Sequence, residues 1–100
     1  MNVIITEQES KTIVTLDGRI DTTNAKEFET AITPLLKVSN PDIEVDCEKL
    51  SYISSSGLRV FLVLQKSVMA NKGKLCLKGM NNGILEVFKM TGFSSIFTIV

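Results

Sequence analysis

The spacing of apolar residues along this chain switches repeatedly between a period of two and a period of three to four, and few folds accommodate that alternation within 100 residues. Two opening runs alternate as strands do. Val3, Ile5 and Glu7 share one side of the first, and Ile13, Thr15 and Asp17 alternate with Thr12, Val14 and Leu16 in the second. Gln8-Glu9-Ser10-Lys11 reads as the hairpin turn between them, and Gly18 as the end of the second strand. From Thr22 to Val38 the apolar positions Ala25, Phe28, Ile32, Leu35 and Leu36 make one helical stripe. Asp21, Thr22 and Thr23 are its candidate N-caps, and Pro34 predicts a kink or the end of its regular part.

Asp42–Asp46 reads as a short strand, followed by Cys47-Glu48-Lys49-Leu50 leading into Ser51-Tyr52-Ile53. A second helix is expected from Ser56 to Asn71, ended by Lys72-Gly73; it is apolar over more than half its girth and should be the most buried. Lys74–Lys78 is a strand, and Asn81-Asn82 caps a third helix carrying Ile84, Leu85, Val87, Phe88 and Met90, with Gly92 at its C′ position. Ile96–Val100 closes as a strand. The order ββαβαβαβ predicts a single α/β domain over residues 1–100. Its sheet is mixed and mostly parallel, flanked by helices, with the first strand antiparallel.

Composition narrows the function classes. There is no histidine, which excludes Ser-His-Asp and Cys-His catalysis and most transition-metal sites, so neither a metal nor a cofactor is expected. Net charge is zero but unevenly spread. Residues 1–50 hold ten acids and five bases, a balance of −5, and residues 51–100 hold one acid and six bases, a balance of +5. The bases are dispersed, so the footprint of nucleic-acid binding is missing. The asymmetry suits either a dipolar surface for a charged protein partner or a mosaic formed when the halves fold together. Met1–Glu7 reaches a polar residue after three apolar ones, too short for a signal peptide, and no apolar run approaches a membrane span. These features predict a cytoplasmic protein, in which Cys47 and Cys76 are reduced, small buried hydrophobes in strands.

One segment does not read as ordinary structure: Tyr52-Ile53-Ser54-Ser55-Ser56-Gly57-Leu58 places three hydroxyls and a glycine where a strand passes into a helix. One serine suffices to cap a helix, a role worth about 1 kcal/mol. Three in a row, with Gly57 admitting close approach, suggest that something contacts the turn. On the residues alone, a plain capped turn and a binding or modification site stand level. Phosphate-loop and dinucleotide fingerprints are missing, and no base lies nearby in sequence to activate Ser55 or Ser56 as a nucleophile. Gly57→Val is expected to hinder a partner while leaving the fold largely intact.

Four stretches together resemble the STAS domain, and within it the small anti-sigma-factor antagonists. Leu16-Asp17-Gly18-Arg19-Ile20-Asp21 is similar to the second strand and its exit. Ile43-Glu44-Val45-Asp46 with Leu50-Ser51-Tyr52-Ile53 is similar to the approach to the site. Ser55-Ser56-Gly57-Leu58 matches the phosphorylation loop, and Val87–Phe93 with Ile96-Phe97 resembles the C-terminal helix and last strand. The resemblance implies a binding module rather than an enzyme. It would bind an anti-sigma factor that is also a serine kinase, lose that binding when ATP-dependent phosphorylation modifies Ser55, and regain it through a metal-dependent serine phosphatase. The implied contact residues are Asp21, Ser54, Ser55, Ser56, Gly57 and Leu58. Ser54 stands where the family usually has aspartate, which makes it, with Ser56, a rival acceptor. Asp21 matches the family's aspartate near the site, with capping of the first helix as its alternative role. A non-switching STAS subunit docked on a membrane transport complex is the competing reading; neither reading involves membrane insertion or direct nucleic-acid contact.

Overall fold

A computed structural model describes residues 1–100. Its elements are β1 (Asn2–Gln8), β2 (Lys11–Ile20), α1 (Ala25–Ile32), a 3₁₀ turn (Thr33–Lys37), β3 (Asp42–Ile53), α2 (Ser55–Ala70), β4 (Lys74–Lys78), α3 (Asn82–Met90), a second 3₁₀ turn (Phe93–Ser95) and β5 (Thr98–Ile99). The five strands lie side by side in chain order, β1 antiparallel to β2 and every later pair parallel. Right-handed crossovers that always step the same way along a sheet put every helix on the same face. The core agrees: Val14, Leu16, Ile43, Val45, Cys47, Leu75 and Leu77, all of one strand parity, join the helical stripes in a single buried cluster. Phe61 of α2 is its hub, edge-on to Phe28 at 5.4 Å, Phe88 at 5.7 Å and Phe97 at 6.4 Å. α2 contributes six buried residues, against three from α1 and two from α3; it leads by count through its length, while the buried share of α1 is the same.

The opposite face of the sheet is open and carries part of the uneven charge. Along β3, Asp42 and Asp46 lie opposite Lys74 and Lys78 of β4, while Glu44 pairs with Lys11 of β2 at 3.6 Å. Two acids of the first half thus neighbour lysines of the second across the β3–β4 register, while both ion pairs, Lys11–Glu44 and Lys26–Glu29, lie within the first half. Cys76 lies half-buried on this face and Cys47 is buried on the core face, so the two thiols point to opposite sides. Burial, helped by the charge of Asp46, pushes the Cys47 thiol up to about 12. No helix is long and apolar enough to cross a membrane.

Several boundaries differ from the sequence pattern. Gly18 does not end β2: it sits inside the strand at φ +107°, where the register against β3 shifts, and β2 continues to Ile20. The hairpin turn shrinks to Glu9-Ser10, because Gln8 and Lys11 already pair. α1 starts at Ala25 rather than Thr22, its regular part ending before Pro34 as expected. β3 is one strand of 12 residues running through to Ile53. The last strand keeps only Thr98–Ile99, since the 3₁₀ turn takes Phe93–Ser95 and Ile96 is still helical in backbone.

The serine turn as candidate functional site

β2 and β3 end together, Ile20 beside Ile53. The Ser54 N–H donates to the Ile20 carbonyl at 2.8 Å, which pins the exit of β3 to the exit of β2. Ser54 is extended (φ −91°, ψ 172°), and its Oγ accepts from the Gly57 N–H at 3.2 Å. Its carbonyl accepts from Leu58 N–H at 3.0 Å, so Ser54 is the N-cap. Aspartate caps as well as serine does, which gives the departure at position 54 a structural account. Ser55 is then the first residue of α2 and is exposed, and Ser56 behind it is half-buried.

Gly57 and Leu58 face inward. A Cβ on Gly57 would stand 2.7 Å from Ile20 Cγ2 and 2.9 Å from Ile53 Cγ1, so the first turn of α2 is seated directly on the two isoleucines that end the strands. This corrects the expectation for Gly57→Val. The added side chain would collide with this chain's own core, not with an approaching partner.

Beside this turn lies a second one, after β2. The Asp21 carboxylate accepts from the Thr23 hydroxyl at 2.6 Å and the Thr23 N–H at 3.0 Å. The Thr23 side-chain bond, then its backbone bond, hold this carboxyl below its ordinary value of 3.8. Asn24 locks the loop from the other end: its Oδ1 accepts from Asp21 N–H at 2.9 Å, and its Nδ2 donates to the Arg19 carbonyl at 2.9 Å. Asp21 thus orders the turn ahead of α1 instead of capping the helix, and the cap position falls to Asn24. Next to both turns the Arg19 guanidinium stacks 4.4 Å from the centre of the Tyr52 ring, its partner in the β2–β3 register. The sequence reading missed Asn24, Arg19 and Tyr52. No local pattern signals the Arg19–Tyr52 pair, which meets only through the parallel register of β2 and β3.

Four of the six expected contact residues, Asp21, Ser54, Ser55 and Ser56, meet at this end of the sheet. From Ser56 a shallow groove of about 230 Å³ runs between α1 and α2, with Lys26 and Glu29 on one wall and Arg59 on the other. The largest cavity, about 400 Å³, is elsewhere: it lies by Met69 and Cys76 and includes no residue of the serine turn. The site offers one exposed hydroxyl, that of Ser55, at the head of a helix seated on Ile20 and Ile53.

The model of the STAS domain matches residues 2–100. Among curated relatives, a Bordetella bronchiseptica protein provisionally named as the anti-sigma factor antagonist BtrV is 33% identical over 87% of this chain and 75% of its own length. The anti-sigma-B factor antagonist of Staphylococcus aureus is 28% identical over 99% of this chain and 92% of its own. The fold is shared with the anti-sigma factor antagonist SpoIIAA at 18% identity. Its unphosphorylated form gives a TM-score of 0.76 over 99% of this chain and 87% of that one. The phosphorylated form, described as a Bacillus cell fate determinant, gives 0.74 over 99% and 91%.

Proposed function

This chain belongs to the STAS domain family, and on that premise we propose that it is a cytoplasmic anti-sigma-factor antagonist switched by phosphorylation of Ser55. Unmodified, it binds an anti-sigma factor that is also a serine kinase, so that the sigma factor is freed. The kinase then moves the γ-phosphoryl group of ATP onto Ser55. The Oγ–P bond forms as the bond to ADP breaks, and the hydroxyl proton leaves. A metal-dependent serine phosphatase reverses the change. The chain itself is a binding module and not an enzyme.

The observation that carries this reading is the division of labour among the three serines. Ser54 is occupied as the cap, Ser56 leans into the groove, and Ser55 presents an exposed hydroxyl at the head of α2. Phosphate there adds about −1.5 to −2 charges. A helix start favours such charge by roughly 0.3–1 kcal/mol, so the domain stays folded. That SpoIIAA keeps this fold in both of its forms supports the same expectation. The effect then falls on the interface, where a surface shaped for a neutral serine must desolvate a dianion. A penalty of ~3 kcal/mol weakens binding more than about a hundredfold.

Peptide mapping after incubation with the cognate kinase and ATP tests the assignment, with phosphate expected on Ser55. Ser55→Ala should bind constitutively, and Ser55→Asp should bind weakly while keeping the wild-type circular dichroism spectrum. Phosphate on Ser54 or Ser56 would move the site. No phosphate at all would overturn the switch in favour of constitutive docking on a membrane transport complex.

A further inference from the structure

Ser55 and Arg59 are one turn apart on α2, and both are exposed. Helical side chains lean toward the N-terminus, so the side chain at 59 lies over the turn that holds position 55, with Cβ atoms about 5–6 Å apart. The neighbouring charges are otherwise engaged. Across the groove Lys26 Nζ is 3.4 Å from Glu29 Oε1, and Arg19 is stacked on Tyr52. Asp21 is held by Thr23. Arg59 is in neither of the chain's two ion pairs, Lys11–Glu44 and Lys26–Glu29.

Resting on the reading of Ser55 as the modified residue, we propose that Arg59 is the intramolecular counter-charge of phosphoserine at position 55. A guanidinium presents a planar fork that matches two phosphate oxygens, which a lysine at the same place would meet only as a point charge. Phosphorylation then does two things at once: it puts a dianion on the binding surface, and it draws Arg59 back along its own helix. The phosphorylated chain carries its new charge held against α2, and the phosphate keeps both negative charges to lower pH than a free phosphoserine does.

The test needs no kinase. Phosphoserine is installed at position 55 by genetic-code expansion in the full chain, and the phosphate is titrated by phosphorus NMR. Its second pKa should lie about 0.3 lower in the wild-type background than in Arg59→Gln. Arg59→Lys should recover part of that difference. The first-turn amides of α2 act alike in all three chains, so the comparison isolates the side chain at 59. With phosphoserine at position 54 instead, five residues away and on another side of the helix, Arg59→Gln should change nothing. Equal pKa values within about 0.1 at position 55, or an equal shift at both positions, would overturn the proposal. This failure is distinct from failure of the switch. A kinase that ignores Ser55 leaves the titration result intact, and a flat titration leaves the kinase mapping intact.

Discussion

On the open face of the sheet three acids of β3 have a lysine beside them, Asp42 with Lys74 and Asp46 with Lys78 in the strand register and Glu44 with Lys11 at 3.6 Å. At the head of α2 the polar groups are not so evenly matched: Ser54 is used by the fold, while Ser55 projects with a cationic side chain a turn away. Both surfaces are polar, and composition alone does not separate them. What separates them is whether the folded chain answers its own groups. A partner arriving at the open face meets acids and lysines already interspersed, whereas at the turn it meets groups with capacity left over. The turn also sits on rigid ground, because Gly57 lets α2 settle against Ile20 and Ile53.

The largest effect should come from breaking that ground. In Gly57→Val the new Cβ alone lies within 3 Å of two core side chains, at 2.7 Å and 2.9 Å, and its methyl groups add to the overlap. Overpacking of this kind costs about 1–3 kcal/mol. A urea titration should show that loss, with Gly57→Ala less affected. Unchanged stability combined with weaker partner binding would mean that the base of the turn faces outward, and the contrast between the two surfaces would fail.

A smaller effect separates the serines themselves. Ser54→Ala removes the cap and should cost about 1 kcal/mol. Ser55→Ala, which removes an exposed hydroxyl, should stay within about 0.5 kcal/mol of the wild type. Ser55→Ala should still bind the anti-sigma factor, and of the two variants only it should be insensitive to the kinase. Equal losses of stability would show that the cap is shared, leaving no hydroxyl reserved for modification.

How much of this was legible in the sequence depends on what kind of information each feature needs. The sheet and its helices were legible because burial imposes its period on Val14, Leu16, Val45, Leu77 and on the stripes of Phe28 and Phe61. Boundaries were missed where backbone geometry overrides pattern: at Gly18, which shifts the register of β2 without ending it, and at Ile96, which stays in a turn. The serine run stood out because three hydroxyls exceed what one cap requires. Which serine caps, and which way Gly57 faces, were hidden, since a strand-to-helix turn has no period from which to read direction. The Arg19–Tyr52 contact depends on parallel register between distant segments, and no local pattern encodes that.

At the second turn the expected effect is smaller and depends on pH. Hydrogen bonds from Thr23 lower the Asp21 pKa below 3.8 in the folded chain. A carboxyl lowered in this way adds stability that is fully present above its unfolded value and is lost as pH falls through the folded one. Asp21→Asn should therefore be less stable than the wild type at neutral pH, with the gap narrowing in acid. Thermal melts at neutral pH and at about pH 3 check the sign. A gap that widens in acid would mean that the Thr23 bonds do not favour the ionised form.

The smallest effect belongs to the open face, and its smallness is the point. Lys11 Nζ lies 3.6 Å from Glu44 Oε1, with the two side chains 43% and 17% exposed. Pairs this exposed are worth about 0–1 kcal/mol, because water screens the attraction and holding two long side chains costs entropy. Glu44→Gln should therefore change stability by less than about 0.5 kcal/mol at 0.15 M salt, where the screening length is about 8 Å. It should also leave affinity for the anti-sigma factor unchanged, since the open face lies away from the serine turn. Charge reversal is the sharper arm. Glu44→Lys puts a fourth cation among Lys11, Lys74 and Lys78, and its cost should shrink as salt rises. A salt-independent loss above about 1.5 kcal/mol would show that the face is held by specific pairing and not by a screened mosaic. Weaker partner binding in Glu44→Gln would place the open face in the interface and erase the distinction between the two surfaces.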